Sequence, residues 1–279
     1  MLSGPQGRLA PVTPGIDDDL ALALRLADKA DEISRAAFTG DAVAHDLKAD
    51  GSPVSAADVA VERAICEILA RERPDDGVLG EEVGPLGATG RRWILDGIDG
   101  TVLFVAGRLG WATEIALEVD GQVVVGVCTS PVHRRRYWAA RGRGAWRRDS
   151  SVEATRVRVS EAASLDGGRY SAIPPLEALD GGRRALAERL GTAGSAWVPP
   201  SEHGALFVAD GRVDACVQLG GGPWDFAALA VIVSEAGGSY SDLAGDPDIY
   251  GGGPVLFSNG RVHRAALAAL SGRESVNEG

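Results

Sequence analysis

The chain is poor in the features that mark secreted, membrane-spanning and zinc-binding proteins. Its 279 residues include three cysteines, none in a C-x-x-C pair, so the sequence predicts neither a disulfide framework nor a thiolate zinc site. Hydrophobic runs stay well short of the roughly 18 residues of a membrane span. The first residues lack the apolar stretch of roughly 7–15 residues that a signal peptide needs. We therefore expect a cytoplasmic protein without a membrane partner.

Basic residues are also in deficit, with 28 Lys and Arg against 39 Asp and Glu and a formal net charge of −11. This balance argues against generic DNA or RNA binding, because such proteins neutralise phosphates with a surplus of Lys and Arg. The overall field also repels an anionic substrate, which would need local donors or a bound cation. The sequence therefore indicates that a metal ion accompanies any anionic ligand.

Two helices are predicted near the start of the chain. Apolar residues at helical spacing predict a first helix from Ile16 to about Phe38. The segment Ser55-Ala-Ala-Asp58 has the form of a capping box, and helical spacing continues from it to about Arg73. A second helix is therefore expected over this segment.

The rest of the chain is predicted to form two packed halves of mixed α and β structure. Asp120-Gly121 between two apolar runs predicts a β-hairpin, because this dipeptide suits a type I′ turn. A turn-rich stretch near residue 150 separates an N-terminal α+β half, residues 16–149, from a C-terminal α/β half, residues 150–279. Residues 1–15, rich in Pro and Gly, are expected to form a flexible tail.

Carboxylates cluster at the predicted strand ends and helix starts. Glu81 follows one short apolar run, Asp96 and Asp99 follow another, and Asp225 opens a later helix. Hard cations such as Mg²⁺ prefer carboxylate and carbonyl oxygens, and the carbonyl of Ile98 is available between the two aspartates. A D-x-x-D spacing across a tight turn is also typical of a solvated acidic loop. Taken alone, this spacing leaves both interpretations open.

Four separate segments together resemble the inositol monophosphatase superfamily of Mg²⁺-dependent, lithium-sensitive phosphomonoesterases. In chain order they are Lys48-Ala-Asp-Gly-Ser-Pro-Val-Ser-Ala-Ala-Asp58, Gly80-Glu-Glu82, Trp93-Ile-Leu-Asp-Gly-Ile-Asp-Gly-Thr101 and Trp224-Asp-Phe-Ala-Ala-Leu229. Within the superfamily, Trp111-Ala-Thr113 and the segment from Trp138 to Ala145 look most like the histidinol-phosphate phosphatase branch. The resemblance implies a layered αβαβα fold, a homodimer, and hydrolysis of a small phosphorylated metabolite, with histidinol phosphate as the first candidate.

The resemblance also implies a role for each matching residue. It implies that about two or three Mg²⁺ ions bind at the site. Their ligands would be the side chains of Glu81, Asp96, Asp99 and Asp225 and the carbonyl of Ile98. Asp58 would lie near a weaker additional metal. Thr101 would orient a metal-activated water, and Glu81 or Asp58 would accept its proton. The amides of Gly100 and Thr101, at a predicted helix start, would hold the phosphate.

Two departures from the superfamily lie beside the expected phosphate site. Gly97 stands where Pro is usual, and Val102-Leu103 stands where a polar pair ending in Asn is usual. Gly97 is expected to loosen the turn that Pro would pre-set. These changes leave open a function of another class. The protein would then be a relative that binds a phosphorylated ligand or partner without hydrolysing it.

Two further departures lie where substrates are usually selected. Glu114 stands where the superfamily usually has an apolar or small residue. Ser201-Glu-His-Gly204 stands where the superfamily has a small or Asp-Cys-type element before a helix of the second half. Glu114, Glu202 and His203 are therefore predicted to contact substrate. Their presence leaves open another sugar, cyclitol or nucleotide phosphate as the substrate.

Several of these residues also have purely structural interpretations. Asp58 can be simply the acidic member of a capping box, Asp225 a helix N-cap, and His203 a satisfied core imidazole. The arginines of residues 134–136 and 141–148 are typical of a solvated hairpin face, with phosphate or partner recognition as the alternative.

Overall fold

The computed structural model describes residues 15–87, 90–150, 152–191, 196–198 and 203–272. The helices are α1 (Ile16–Ala37), α2 (Ala56–Glu72), α3 (Thr101–Val105), α4 (Gly181–Glu188), α5 (Gly204–Ala209), α6 (Ala227–Glu235) and α7 (His263–Ser271), with short 3₁₀ helices at Leu176–Ala178 and Pro223–Asp225. The strands are β1 (His45–Leu47), β2 (Pro53–Ser55), β3 (Gly77–Gly80), β4 (Gly84–Leu86), β5 (Arg91–Asp99), β6 (Ala112–Val119), β7 (Gln122–Ser130), β8 (Arg135–Ala140), β9 (Gly144–Asp149), β10 (Thr155–Val157), β11 (Arg169–Ile173), β12 (Ala196–Trp197), β13 (Ala215–Gln218), β14 (Ser239–Asp242) and β15 (Val255–Ser258).

Two large sheets organise the molecule. The first has eight strands in the order β10-β9-β8-β7-β6-β5-β3-β4, and the second has five in the order β12-β11-β13-β15-β14. In the first sheet β3 and β5 run parallel, while the other neighbouring strands are antiparallel. The carboxyl ends of β3 and β5 therefore lie side by side, at the same end of the sheet. The small hairpin β1-β2 forms a sheet of its own.

Helices cover both sheets and fill the space between them. Leu26 of α1 and Ile65 of α2 belong to a core with Trp93 on one face of the first sheet. Residues of α5 and α6, including Leu229, form a second core against the other face of that sheet and against the second sheet. Leu270 of α7 packs on the outer face of the second sheet. The predicted layered αβαβα fold is confirmed.

Local sequence signals account for the best-predicted elements. Helices α1 and α2 lie where apolar spacing places them, and Ser55 and Asp58 form the capping box at the start of α2. Asp120 and Gly121 have φ values of +50° and +75° and join β6 to β7. These left-handed conformations are those of a type I′ turn, which matches the twist of the flanking strands.

Helix α6 positions one side of the site. Its residues from Ala227 to Val233 are all buried, as expected for a helix that is apolar on every face and lies between two sheets. The 3₁₀ turn Pro223–Asp225 directly precedes it. Asp225 is therefore carried at the start of a helix that both sheets hold in place.

The division of the chain is less sharp than the turn signals near residue 150 suggest. Strand β10 pairs with β9, so the first sheet extends beyond residue 150. The predicted flexible tail lies outside the described residues, apart from Gly15. Within the described ranges, none of the helices has both the length and the hydropathy needed to cross a membrane.

Candidate active site

Three aspartates from two parts of the chain meet at the end of the sheet where β3 and β5 terminate. Asp96 and Asp99 lie at the end of β5, and Asp225 comes from the 3₁₀ turn before α6. One carboxylate oxygen from each of the three lies within 4.8 Å of the other two. The structure therefore brings together residues that the sequence separates by more than a hundred positions.

Burial and mutual repulsion define the electrostatics of this cluster. Asp96 is 1% exposed, and its Oδ2 has no hydrogen-bond partner among the described residues. Burial raises the pKa of Asp96 well above its usual range, and the charges of Asp99 and Glu81 add to the rise. Burial, followed by Asp99, raises the pKa of Asp225 to about 8, although Oδ2 accepts a 2.5 Å hydrogen bond from the Gly222 amide.

Asp99 differs from its neighbours because a histidine faces it. His203 Nδ1 lies 3.0 Å from Asp99 Oδ2 and 3.6 Å from Glu114 Oε1. Burial raises the pKa of Asp99, but the imidazole of His203 and the Gly100 amide outweigh burial and hold it below its usual range. Glu114 is 1% exposed, and burial followed by Asp99 and Asp225 raises its pKa.

The two described residues predicted to contact substrate are thus both buried. His203 is 6% exposed, and it lies between the Asp99 and Glu114 carboxylates. Glu202 lies outside the described residues. Contact with substrate by these three residues stays a prediction.

Glu81 is held at the rim of the cluster by a lysine. Lys48 Nζ lies 2.6 Å from Glu81 Oε1 and also contacts the carboxylate of Glu82. Burial raises the pKa of Glu81, Lys48 opposes the rise, and Glu82 and Asp99 add to it. Lys48 begins the first of the four segments that carry the family resemblance, but no role was predicted for it from the sequence.

The donor set fits a hard divalent cation. The grouped atoms are carboxylate oxygens of buried or half-buried residues, and none of the described residues donates a hydrogen bond to Asp96 Oδ2. Like charges packed this closely repel each other unless protons or a cation intervene. The cluster is therefore able to bind a metal ion of the kind that prefers oxygen ligands.

Asp58 forms the predicted helix cap and also contacts Thr101, while its place beside a metal ion stays a prediction. Its Oδ2 accepts hydrogen bonds from the Ser55 amide and hydroxyl at 2.9 and 2.6 Å, which completes the helix cap. Its Oδ1 lies 2.9 Å from Thr101 Oγ1, which lies equally far from the Ile98 carbonyl oxygen. One carboxylate therefore caps α2 and contacts Thr101, the first residue of α3.

The backbone around Thr101 differs in one respect from the sequence prediction. The segment from Asp96 to Asp99 is predicted as a tight turn, but it continues β5 with a shift of register against β6. The turn comes at Gly100, which has a φ of +81° and precedes α3. Val102 is 63% exposed, so the apolar residue that departs from the superfamily faces solvent beside this turn.

Gly97 occupies a position with little space, so its effect is not simply to loosen the backbone. A Cβ atom built on Gly97 would lie 2.7 Å from the Asp58 carbonyl oxygen and 3.3 Å from Glu62 Cγ. The predicted loosening was placed in a turn, whereas Gly97 lies within β5. The absence of a side chain here allows α2 to approach the strand closely.

Glu62 is a buried charged residue that the sequence analysis missed. It is 0% exposed, and burial raises its pKa to about 7 in spite of hydrogen bonds from the Val83 and Glu82 amides. Its signal in the sequence is its position one helical turn after Asp58, which places both carboxylates on one face of α2. This spacing is the signal by which the sequence could have revealed Glu62.

Comparison with known proteins agrees with this geometry. The model of the Inositol monophosphatase family matches residues 16–275. The histidinol-phosphatase of Mycobacterium tuberculosis is 43% identical over 260 residues, which cover 91% of this chain and 98% of that protein. The histidinol-phosphatase of Streptomyces coelicolor is 39% identical over 271 residues, covering 93% and 99%.

Solved structures give the same result. The IMPase of Thermotoga maritima superposes with a TM-score of 0.77 at 28% identity, over 91% of this chain and 97% of that one. Sequence and structure therefore agree over most of the chain, and it belongs to the inositol monophosphatase family and is a phosphoric monoester hydrolase.

Proposed function

We propose that this enzyme hydrolyses histidinol phosphate, with Mg²⁺ bound at the carboxylate cluster. The observation that carries the proposal is the convergence of Asp96, Asp99 and Asp225, whose ligand oxygens lie within 4.8 Å of one another. Support for this substrate comes from the 43% identical histidinol-phosphatase, which this chain matches along nearly its whole length.

Mg²⁺ would be held by Glu81, Asp96, Asp99, Asp225 and the Ile98 carbonyl, in about two or three ions per chain. When bound, such ions supply positive charge to the phosphate, to an attacking water and to the leaving oxygen. Asp58 would lie near the weakest of them. In a protein of net charge −11, this local positive charge would overcome the repulsion of an anionic substrate.

Thr101 and Asp58 are proposed to orient the attacking water and to take its proton. The hydroxyl of Thr101 can donate its hydrogen to only one of its two acceptors, Asp58 Oδ1 or the Ile98 carbonyl, at a time. When it donates to Asp58, a lone pair on Oγ1 can accept a hydrogen bond from water. A proton can then pass through Oγ1 to Asp58 Oδ1, with Glu81 as the alternative acceptor.

Phosphate and leaving group are assigned to different residues around the cluster. The amides of Gly100 and Thr101, at the turn after β5, would bind phosphate oxygens. Glu114, Glu202 and His203 would contact the leaving group. His203 is the best placed of the described residues for this role, because it packs directly against Asp99.

A phosphatase for another sugar, cyclitol or nucleotide phosphate is the second candidate. It is favoured by the structural match to an inositol monophosphatase and by the departures at Glu114 and His203. The third is a relative that binds a phosphorylated ligand or partner without hydrolysing it, which exposed Val102 in place of a polar residue keeps open.

Phosphate release with and without Mg²⁺ tests these candidates. The panel holds histidinol phosphate, inositol 1-phosphate, sugar phosphates and nucleoside monophosphates. A strong Mg²⁺-dependent preference for histidinol phosphate is expected. A preference for another member would overturn the substrate, and no release from any member, with Mg²⁺ binding intact, would favour the non-hydrolysing relative. The homodimer also stays a prediction, which light scattering in solution would check.

A further inference from the structure

Glu62 is a buried carboxylate for which the proposed chemistry has no use. It lies on α2 one turn after Asp58 and is 0% exposed. Its Oε2 accepts hydrogen bonds from the amides of Glu82 at 3.1 Å and Val83 at 2.9 Å, and its Oε1 lies 3.2 Å from the Glu82 amide. This acid thus accepts hydrogen bonds from the two main-chain amides directly after Glu81.

The two strands that end at the site leave space for this side chain. A Cβ atom built on Gly80, the last residue of β3, would lie 2.4 Å from Glu62 Oε2. A Cβ atom on Gly97 in β5 would lie 3.3 Å from Glu62 Cγ. Glycine at both positions therefore lets Glu62 reach the backbone that carries the acidic cluster.

A buried carboxylate is costly unless its oxygens accept good hydrogen bonds. Here those bonds come from two consecutive amides, so the carboxylate fixes the orientation of two peptide groups. Because Glu81 precedes them directly, its position depends on theirs. Lys48 contacts the same loop through its side chains, the carboxylates of Glu81 and Glu82.

We propose that Glu62 is a positioning residue that holds the 81–83 loop so that Glu81 points into the metal site. This inference rests on the proposed role of Glu81 as a metal ligand. One face of α2 then controls both loops of the site: Asp58 contacts Thr101 after β5, and Glu62 holds the loop after β3.

The test compares Mg²⁺ binding to metal-free protein by calorimetry in wild type and in Glu62→Gln. Gln keeps the shape and one acceptor oxygen, but it removes the negative charge and replaces the second oxygen with an N–H₂ donor, so the Glu82 and Val83 amides keep only one neutral acceptor. Loss of a group that supports a metal ligand typically weakens metal binding by roughly 10–100-fold, and we expect a loss in this range. Faster hydrogen exchange at the Glu82 and Val83 amides should accompany it, and activity should recover at saturating Mg²⁺.

Glu118→Gln is the matched control. Glu118 is a buried acid of β6, 2% exposed, that pairs with Arg92 at 3.0 Å and contacts Tyr250. It lies opposite Arg92, at the far end of β5 from Asp96. Its replacement should lower the melting temperature and leave the Mg²⁺ dissociation constant unchanged.

Each outcome decides a separate point. Mg²⁺ binding to Glu62→Gln within twofold of wild type, with unchanged exchange at residues 82 and 83, would overturn the positioning role. If Glu81→Gln also bound Mg²⁺ normally, the proposed ligand set itself would be wrong, and the inference would fall with it. Should Glu62→Gln not fold, Glu62→Asp makes the same comparison, because its shorter side chain withdraws the carboxylate from both amides.

Discussion

Replacing Asp96 with Asn should stabilise the metal-free protein while it abolishes Mg²⁺-dependent activity. Asp96 is buried, its Oδ2 lacks a hydrogen-bond partner among the described residues, and two other aspartates lie beside it. An asparagine of the same shape cannot ionise, so it removes the repulsion that arises whenever Asp96 loses its proton, and it offers N–H donors to the neighbouring carboxylates. Opposite effects on stability and activity are expected where acidic groups are gathered for function.

The magnitude follows from the separation of the carboxylates. Two unit charges at the upper limit of 4.8 Å would repel each other by about 3.5 kcal/mol at an effective dielectric constant of about 20. Partial protonation of the cluster relieves some of this repulsion, so we expect a gain of about 1–3 kcal/mol. In a domain of this size each kcal/mol raises the melting temperature by roughly 2–4 °C.

The assay is thermal unfolding in EDTA and in excess Mg²⁺, together with phosphate release. At a Mg²⁺ concentration about 100 times the dissociation constant, wild type should gain about 2.7 kcal/mol, and Asp96→Asn should gain little. Asp76→Asn is the control: this acid, whose side chain is 7% exposed, pairs with Arg91 at 2.8 Å and accepts from Trp93 Nε1 at 2.9 Å, so its loss should lower stability in both buffers. A destabilised Asp96→Asn in EDTA, or activity retained within a few-fold, would refute the reasoning.

Three further results are expected. The pKa of Asp225 in the folded metal-free protein is about 8, above roughly 3.9 in an unfolded chain, so the folded state binds more protons between these values. The free energy of unfolding in EDTA should therefore be greatest near the pKa of the unfolded chain and should fall as the pH rises to 8. Urea midpoints that rise over this pH range would contradict the prediction. Thr101→Val should lower kcat by roughly 100-fold with Mg²⁺ affinity unchanged, while Thr101→Ser retains most activity; equal kcat values for the two variants would exclude a role of the hydroxyl. His203→Ala should reduce kcat/KM more for the true substrate than for an aryl phosphate, and an equal loss would mean that His203 acts only through Asp99.

The elements that the sequence predicts well depend on neighbours in the chain. The capping box at Ser55 and Asp58 and the turn at Asp120 and Gly121 are set by local hydrogen bonds and backbone preferences. The arrangement of Asp96 and Asp99 was harder to predict, because a D-x-x-D spacing is compatible with two structures. One is a strand with a shift of register, and the other is a tight turn. Pairing with β6 decides between them, and that pairing is a property of the folded sheet.

The contacts within the site depend on residues far apart in the chain. The sequence singles out Asp99, Glu114 and His203, but it contains no sign that the imidazole lies 3.0 Å from Asp99. Glu62 was missed for a different reason: an acid on an amphipathic helix usually faces water, and only the glycines of β3 and β5 make room for it inside. Side-chain proximity of this kind follows from how α2 and α5 dock on the sheets.

Asp225 belongs to the second half of the chain, whereas the other carboxylates of the cluster belong to the first. A cation bound by all of them would act as a crosslink between the halves, tightening their association whenever it binds. Two fragments cut between the halves would each lack part of the ligand set. Activity would then return only when both fragments reassemble, with Mg²⁺ favouring their reassembly.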